Sequence, residues 1–154
     1  MKMGRETNER YIETIRDLGG IEKRARTKDI AEKLGVKEAS VTEMLRKLKV
    51  KKLVEYEPYR GVILTARGRR LAEALTRKHN TLAEFLKVIG VRESIADSDA
   101  CKIEHIAHPR TIKKLRKFVE FVEGNPEKPT WLEHYRYFVK TGKRLKCERH
   151  KKEE

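Results

Sequence analysis

The segment "CKIEHIAH", residues 101–108, carries a thiol, a carboxylate and two imidazoles within two helical turns. On a helix Cys101, Glu104, His105 and His108 fall at i, i+3, i+4 and i+7, which stacks them along one face. Thiolate, carboxylate and imidazole together make half of a transition-metal site and need further ligands from another helix. His79, inside a long apolar stripe, is the candidate donor. Such a mixed donor set suits Fe(II), Co(II), Ni(II) or Zn(II), and Mn(II) less well because it prefers oxygen. Each ligand must be deprotonated, so binding should strengthen as pH rises through the imidazole and thiol range. The alternative is structural: a packed core histidine at 79, a buried cysteine and a surface ion pair. His108 precedes Pro109 and can point elsewhere. Cys147 and His150 form a C-x-x-H pair in a basic tail, a pattern that accident readily produces.

The elements around these residues follow from apolar spacing. Residues 7–18 place Tyr11, Ile12, Ile15 and Leu18 on one helical stripe, with Glu9, Arg10 and Glu13 on other faces. "GGIEKRAR" reads as a loop. Thr27 reads as the N-cap of "KDIAEKL", which Gly35 stops. A third helix runs from about Glu38 to Val50, with Val41, Leu45 and Leu48 inward and Ser40, Glu43, Arg46 and Lys47 outward. Two helices about a short Gly-containing turn form a helix-turn-helix. "LVEYE" and "VILT", joined around "PYRG", are short strands of a hairpin. The expected fold is therefore mainly α with a small β-wing: a winged helix-turn-helix followed by helices. A long helix spans Ala66 to Ile89, another Ser94 to Ala107, and Pro109 opens the next. "WLEHYRYFVK" is a last, aromatic-rich helix whose role the sequence leaves open: cover for the helical domain or an effector site.

The chain has 154 residues, formal net charge +14, no Gln and three Asn. An excess of Lys and Arg suits a polyanion such as DNA. The amide-poor, highly charged composition also matches the surface ion-pair networks of a thermophile. No apolar run reaches the length of a membrane span, and the expected location is cytoplasmic, with both cysteines free or metal-binding rather than bridged. On the reading helix, Ser40 and Glu43 face base edges; Glu43 either accepts from a cytosine amino group or points away from the phosphates. Lys37, Arg46, Lys47 and the wing residue Arg60 suit phosphates. Thr27, Lys28, Ala39 and Thr42 are counted on the same DNA face.

Three segments, "DIAEKLGVKEASVTEMLRKL", "LVEYEPYRGVILTARGRR" and "ACKIEHI", resemble the diphtheria toxin repressor family, which includes the manganese transport regulators. The resemblance covers Tyr11 to Ala107, and residues 125–154 match nothing placed. It implies a two-domain form without the SH3-like domain: a DNA-binding winged helix (1–73), a helical dimerisation and metal-sensing domain (74–142) and a basic tail (143–154). It implies a homodimer that binds a palindromic operator in double-stranded DNA when a divalent metal, Fe(II) foremost, links the two domains. Cys101, Glu104 and His105 match the family's cluster on the dimerisation helix, His79 the histidine on the connecting helix, and Glu13 a carboxylate of the first helix. Asp97 falls where iron-type members have a second-site histidine, and Ala83 replaces that site's glutamate. Arg10 stands where the family has Met or Asp. A guanidinium offers no lone pair, so two readings follow. Either metal binds without position 10, with Glu13 or Glu9 substituting, or Arg10 pairs with Glu104 in a metal-independent regulator. A metal-dependent enzyme would need a general base and a substrate cleft, and no second constellation supplies them.

Overall fold

The computed structural model describes residues 3–124 and 129–145. Seven helices and two strands follow one another as α1 (Met3–Asp17), α2 (Thr27–Leu34), α3 (Glu38–Val50), β1 (Val54–Glu57), β2 (Gly61–Leu64), α4 (Ala66–Val88), α5 (Glu93–Ile106), α6 (Pro109–Glu123) and α7 (Thr130–Thr141). No helix among the described residues is long and apolar enough to cross a membrane.

The helix-turn-helix ends are set by backbone chemistry. Gly35 takes φ 66°, and its N–H and that of Val36 return to the carbonyls of Glu32 and Ala31, which closes α2 in a Schellman motif. Thr27 is the first residue of α2 and not its cap; the cap position is Arg26, which makes no side-chain capping bond. Strands β1 and β2 pair antiparallel, Val54 opposite Leu64 and Glu57 opposite Gly61. The segment read as a plain loop adds to this sheet: Ala25 exchanges both backbone bonds with Val62, at 2.8 and 2.9 Å. The wing is thereby anchored to the approach to α2. Thr65 caps α4 by accepting from the Gly68 N–H at 3.1 Å while its hydroxyl donates to the Lys52 carbonyl at 2.8 Å. His108 caps α6, its Nδ1 accepting from the Arg110 N–H at 3.1 Å, with Pro109 in the first turn.

The core falls into separate apolar clusters strung along α4. The first joins Tyr11, Ile12 and Ile15 of α1 to Ile30, Val41, Leu45, Leu48, the strand residues Val54, Val62 and Leu64, and ends at Leu75. The next begins at Leu82 and gathers Ala83, Ala100 and Ile112. A third holds Val88, Val122 and Leu132. Between Leu75 and Leu82 the stretch "TRKHNT" contributes to none of these clusters. Helix α7 covers α6 and the end of α4: Trp131 packs on Phe118, itself edge-on to Phe85, and the Tyr135 hydroxyl donates to the Ile89 carbonyl at 3.1 Å.

Gly68 marks the tightest approach of α4 to the turn before the wing. A Cβ there would stand 2.0 Å from the Leu53 carbonyl oxygen and 3.3 Å from the Leu64 side chain. Alanine would otherwise favour the helix, but the collision is with backbone. We predict that Gly68→Ala lowers the unfolding free energy by roughly 1–3 kcal/mol, the usual cost of overpacking, as read by thermal or urea denaturation. An unchanged or raised melting temperature would show that α4 and the 52–53 turn part freely.

Candidate metal centre and nucleic-acid interface

Helix α1 faces the junction with Glu9 and Glu13, one turn apart, and α5 meets them with Glu104 and His105. Carboxylate oxygens of Glu13 and Glu104 and a ring nitrogen of His105 all lie within 4.8 Å of one another. His105 Nε2 is 3.6 Å from Glu13 Oε2 and 3.6 Å from Glu104 Oε1. Its Nδ1 is 3.1 Å from Glu9 Oε2. From α4, His79 Nδ1 stands 3.5 Å from Glu104 Oε2, out of hydrogen-bonding geometry, so that oxygen is buried with no donor. Glu104 is 1 % exposed.

This arrangement is costly without a cation. Burial, then the charge and hydrogen bond of Glu13, push the Glu104 carboxyl up to about 8. Burial also raises Glu13, against the lowering pull of His105 and Arg16. Two carboxylates, one of them fully buried, share the junction with an imidazole and an orphaned acceptor oxygen; a divalent cation would satisfy all of them at once, and the residues present fit one. They line a cavity of about 580 Å³ with Cys101, Thr76, Arg10, Arg16 and Lys102 on its walls.

The sequence-derived ligands divide accordingly. Glu13, Glu104, His105 and His79 come together. Cys101 lines the same cavity but is exposed and outside the tight cluster, and burial and the neighbouring carboxylates raise its thiol. Asp97 is exposed and lines no part of the cavity. Ala83 is buried in the second apolar cluster. Among the described residues Arg10 makes no ion pair with Glu104, so the fixed salt link expected as an alternative is not formed. His108 is occupied as a helix cap, and Cys147 and His150 lie outside the described residues. Glu9, read from the sequence as a possible substitute ligand off the apolar stripe of α1, is 3 % exposed and directed at His105 of α5.

The second face of the winged helix carries cations. A cleft between the start of α2, α3 and the wing is lined by Arg26, Thr27, Lys28, Thr42, Arg46 and Arg60, together with Arg24 and Tyr59. Ala39, Ser40, Glu43 and Lys47 are exposed along α3, and Lys37 sits at its N-cap in extended conformation. Glu43 is not a bare carboxylate: Lys47 Nζ donates to it at 2.6 Å and lowers its pKa. At the wing, Glu57 receives Arg24 at 2.7 Å and Arg60 at 3.1 Å, so Arg24 braces the hairpin as well as charging it. Tyr59 tips the wing in left-handed conformation, φ 65°, fully exposed. Arg24, Arg26 and Tyr59 were not singled out from the sequence.

Residues 3–62 match the family described as "Iron dependent repressor, N-terminal DNA binding domain", and residues 65–133 match "Iron dependent repressor, metal binding and dimerisation domain". The HTH-type transcriptional regulator MntR of Bacillus pumilus (strain SAFR-032) is 39 % identical over 124 residues, 80 % of this chain and 86 % of the relative. A manganese-dependent transcriptional repressor in complex with manganese superposes with TM-score 0.65 at 25 % identity, over 90 % of this chain and 79 % of the other. ScaR with bound Zn2+ superposes with TM-score 0.65 at 27 % identity over 74 % of this chain, which spans about half, 54 %, of that one. With family models over both halves and a relative of this similarity, the chain belongs to the diphtheria toxin repressor and manganese transport regulator family of metal-dependent transcription repressors.

Proposed function

We propose that this protein is a homodimeric repressor of metal-homeostasis genes that binds a palindromic operator when Fe(II) or Mn(II) occupies the junction of α1, α4 and α5. The observation that carries the reading is the convergence of Glu13 with Glu104 and His105 on opposite sides of the boundary between a reading half (about 1–73) and a sensing half (about 74–142). Glu13, Glu104 and His105 would hold the ion, with His79 and Cys101 reaching it from the same cavity. When bound, the ion would supply the positive charge that lets buried Glu104 ionise beside Glu13. Glu13 then ties α1 to α5, and the reader keeps one orientation relative to its partner copy. In this scheme Arg46, Lys47, Lys37 and Lys28 take phosphates, Ser40, Ala39, Thr42 and Glu43 approach bases, Thr27 sits at the cleft edge, and Arg60 reaches along the wing. The dimer is attributed to the sensing half, whose matched family carries dimerisation in its description. The charge-rich helices, with Glu84–Lys87, Asp99–Lys102 and Lys117–Glu120 pairs, and the Gln-free composition fit a cytoplasmic protein of a thermophile.

Metal identity turns on Cys101. Glu13, Glu104 and His105 alone form an oxygen-rich set that suits Mn(II), whereas recruitment of the Cys101 thiolate favours Fe(II) and its softer neighbours. Cys101→Ser should leave Mn(II) binding nearly intact and weaken Co(II), a stable substitute for Fe(II), by isothermal titration. Equal loss for both ions would place Cys101 in the Mn(II) site too.

The linkage itself is tested by DNA binding. Metal should tighten operator affinity about 5–150-fold, the range of ordinary allosteric coupling. Glu104→Ala and His105→Ala should erase that gain in gel shifts while sedimentation still shows the dimer. A metal response retained in both variants removes the junction as the sensor.

The raised Glu104 carboxyl gives a signed pH dependence. The folded metal-free protein holds a proton there up to about pH 8, whereas the unfolded chain sheds it near the ordinary value of 4.5. Between those limits the folded state binds more protons, so metal-free stability falls as pH rises. Mn(II) must displace that proton, so its affinity climbs with pH and levels off above about 8. Melting curves of wild type against Glu104→Gln, with and without Mn(II), check the sign: the variant should lack the metal-free decline.

A further inference from the structure

Glu9 is a buried carboxylate that the three-donor cluster does not use. It is 3 % exposed, lies one turn before Glu13 on α1, and its Oε2 is 3.1 Å from His105 Nδ1. The other ring nitrogen, Nε2, is the one that faces Glu13 and Glu104. The two nitrogens of an imidazole point away from each other, so a cation held on the Nε2 side is out of reach of a carboxylate on the Nδ1 side. The hydrogen bond made by one nitrogen decides which carries the proton. A carboxylate accepting from Nδ1–H leaves the lone pair on Nε2, aimed into the cluster, and makes that nitrogen more basic.

Resting on the metal-centre reading above, we infer that Glu9 is the positioning residue of that centre: it accepts from His105 Nδ1–H, fixes the Nε2-ligating tautomer, and is not itself a ligand. Glu9 sits on the reading half and His105 on the sensing half, so the pair joins α1 to α5 through a hydrogen bond beside the junction that Glu13 and Glu104 close through an ion. It also offers a second anchor to α1 where Arg10, the next residue, has no lone pair to give. The first helix thus contributes two carboxylates with different tasks: Glu13 toward the ion, Glu9 toward the ligand that holds it.

The test uses the full-length protein with Co(II) as probe, in wild type, Glu9→Gln, Glu9→Ala and, as a reference, Glu104→Ala. Glu9→Ala should weaken Co(II) affinity about 10–100-fold, the usual effect of removing such an outer partner. Glu9→Gln, which keeps a neutral acceptor, should fall between it and wild type. At saturating Co(II) the visible absorption bands of both Glu9 variants should match wild type in position and stoichiometry, because the ligand set is unchanged. In wild type, nitrogen NMR of His105 should show Nδ1 protonated, and Glu9→Ala should mix the tautomers. Bands that shift in Glu9→Gln would make Glu9 a ligand and overturn the inference. So would wild-type affinity in both Glu9 variants, or a weakening matched by collapse of the metal-free fold in thermal melts. Glu104→Ala binding Co(II) like wild type would instead discard the metal centre, an outcome separable from failure of Glu9 alone.

Discussion

The protein is organised around one electrostatic problem: carboxylates of two different helices meet at a shared cavity, and one of them, Glu104, is fully buried. Desolvating a single ionised carboxylate costs several kcal/mol even after relaxation, more than most individual contacts in a domain return. Glu104 answers in the metal-free state by keeping its proton, and one of its oxygens goes without a donor. In the proposed reading a small divalent cation would turn the same groups from a liability into a clamp, because attraction in a partly desolvated site is strong once charge is balanced.

The remainder of the architecture delivers that effect to a surface. The winged-helix core packs α1 directly with the reading helices through Tyr11, Ile12, Ile15, Ile30 and Leu45, so a shift of α1 is a shift of the whole reader. The wing cannot lag behind, since Val62 is bonded to Ala25 and Leu64 to Gly20 on the segment leaving α1. On the far side, α6 and α7 brace α4 through Phe118, Val122, Trp131 and Leu132 against Phe85 and Val88. The basic cleft between α2, α3 and the wing is therefore carried by the same packed body as α1.

Much of this was written plainly in the chain. Gly35 and Pro109 punctuate helices for reasons that hold in any context, and the apolar periodicity of α3, α4 and α6 places their inner faces. The C-x-x-E-H spacing located the α5 half of the centre. What spacing could not carry were choices made by a neighbouring element. Cys101 shares a face with Glu104 and His105, yet the approach of α1 decides that the cluster closes on Glu13 and leaves the thiol at the rim. Glu9 lies off the apolar stripe of α1, as its spacing says, and its burial comes from α5, which the pattern of α1 alone does not contain. Asp97 lies on the same helix as the cluster but a turn too early to meet α1. The Ala25–Val62 bridge joins residues 37 apart in single contact, which leaves no periodic trace. Thr27 looked like a cap because its type suits one, but the backbone starts the helix there instead.

The gap in apolar packing along α4 has a mechanical meaning. From Ala66 to His79 the helix extends about 20 Å at 1.5 Å per residue. The stretch from Thr76 to Thr81 joins none of the oily clusters, and both hydroxyls bond back to carbonyls four residues earlier, a habit that softens and bends helices. The connecting rod thus changes character beside the carboxylate–imidazole cluster. Over that length a bend of a few degrees at this point corresponds to roughly 1–2 Å at the end of the rod next to the wing.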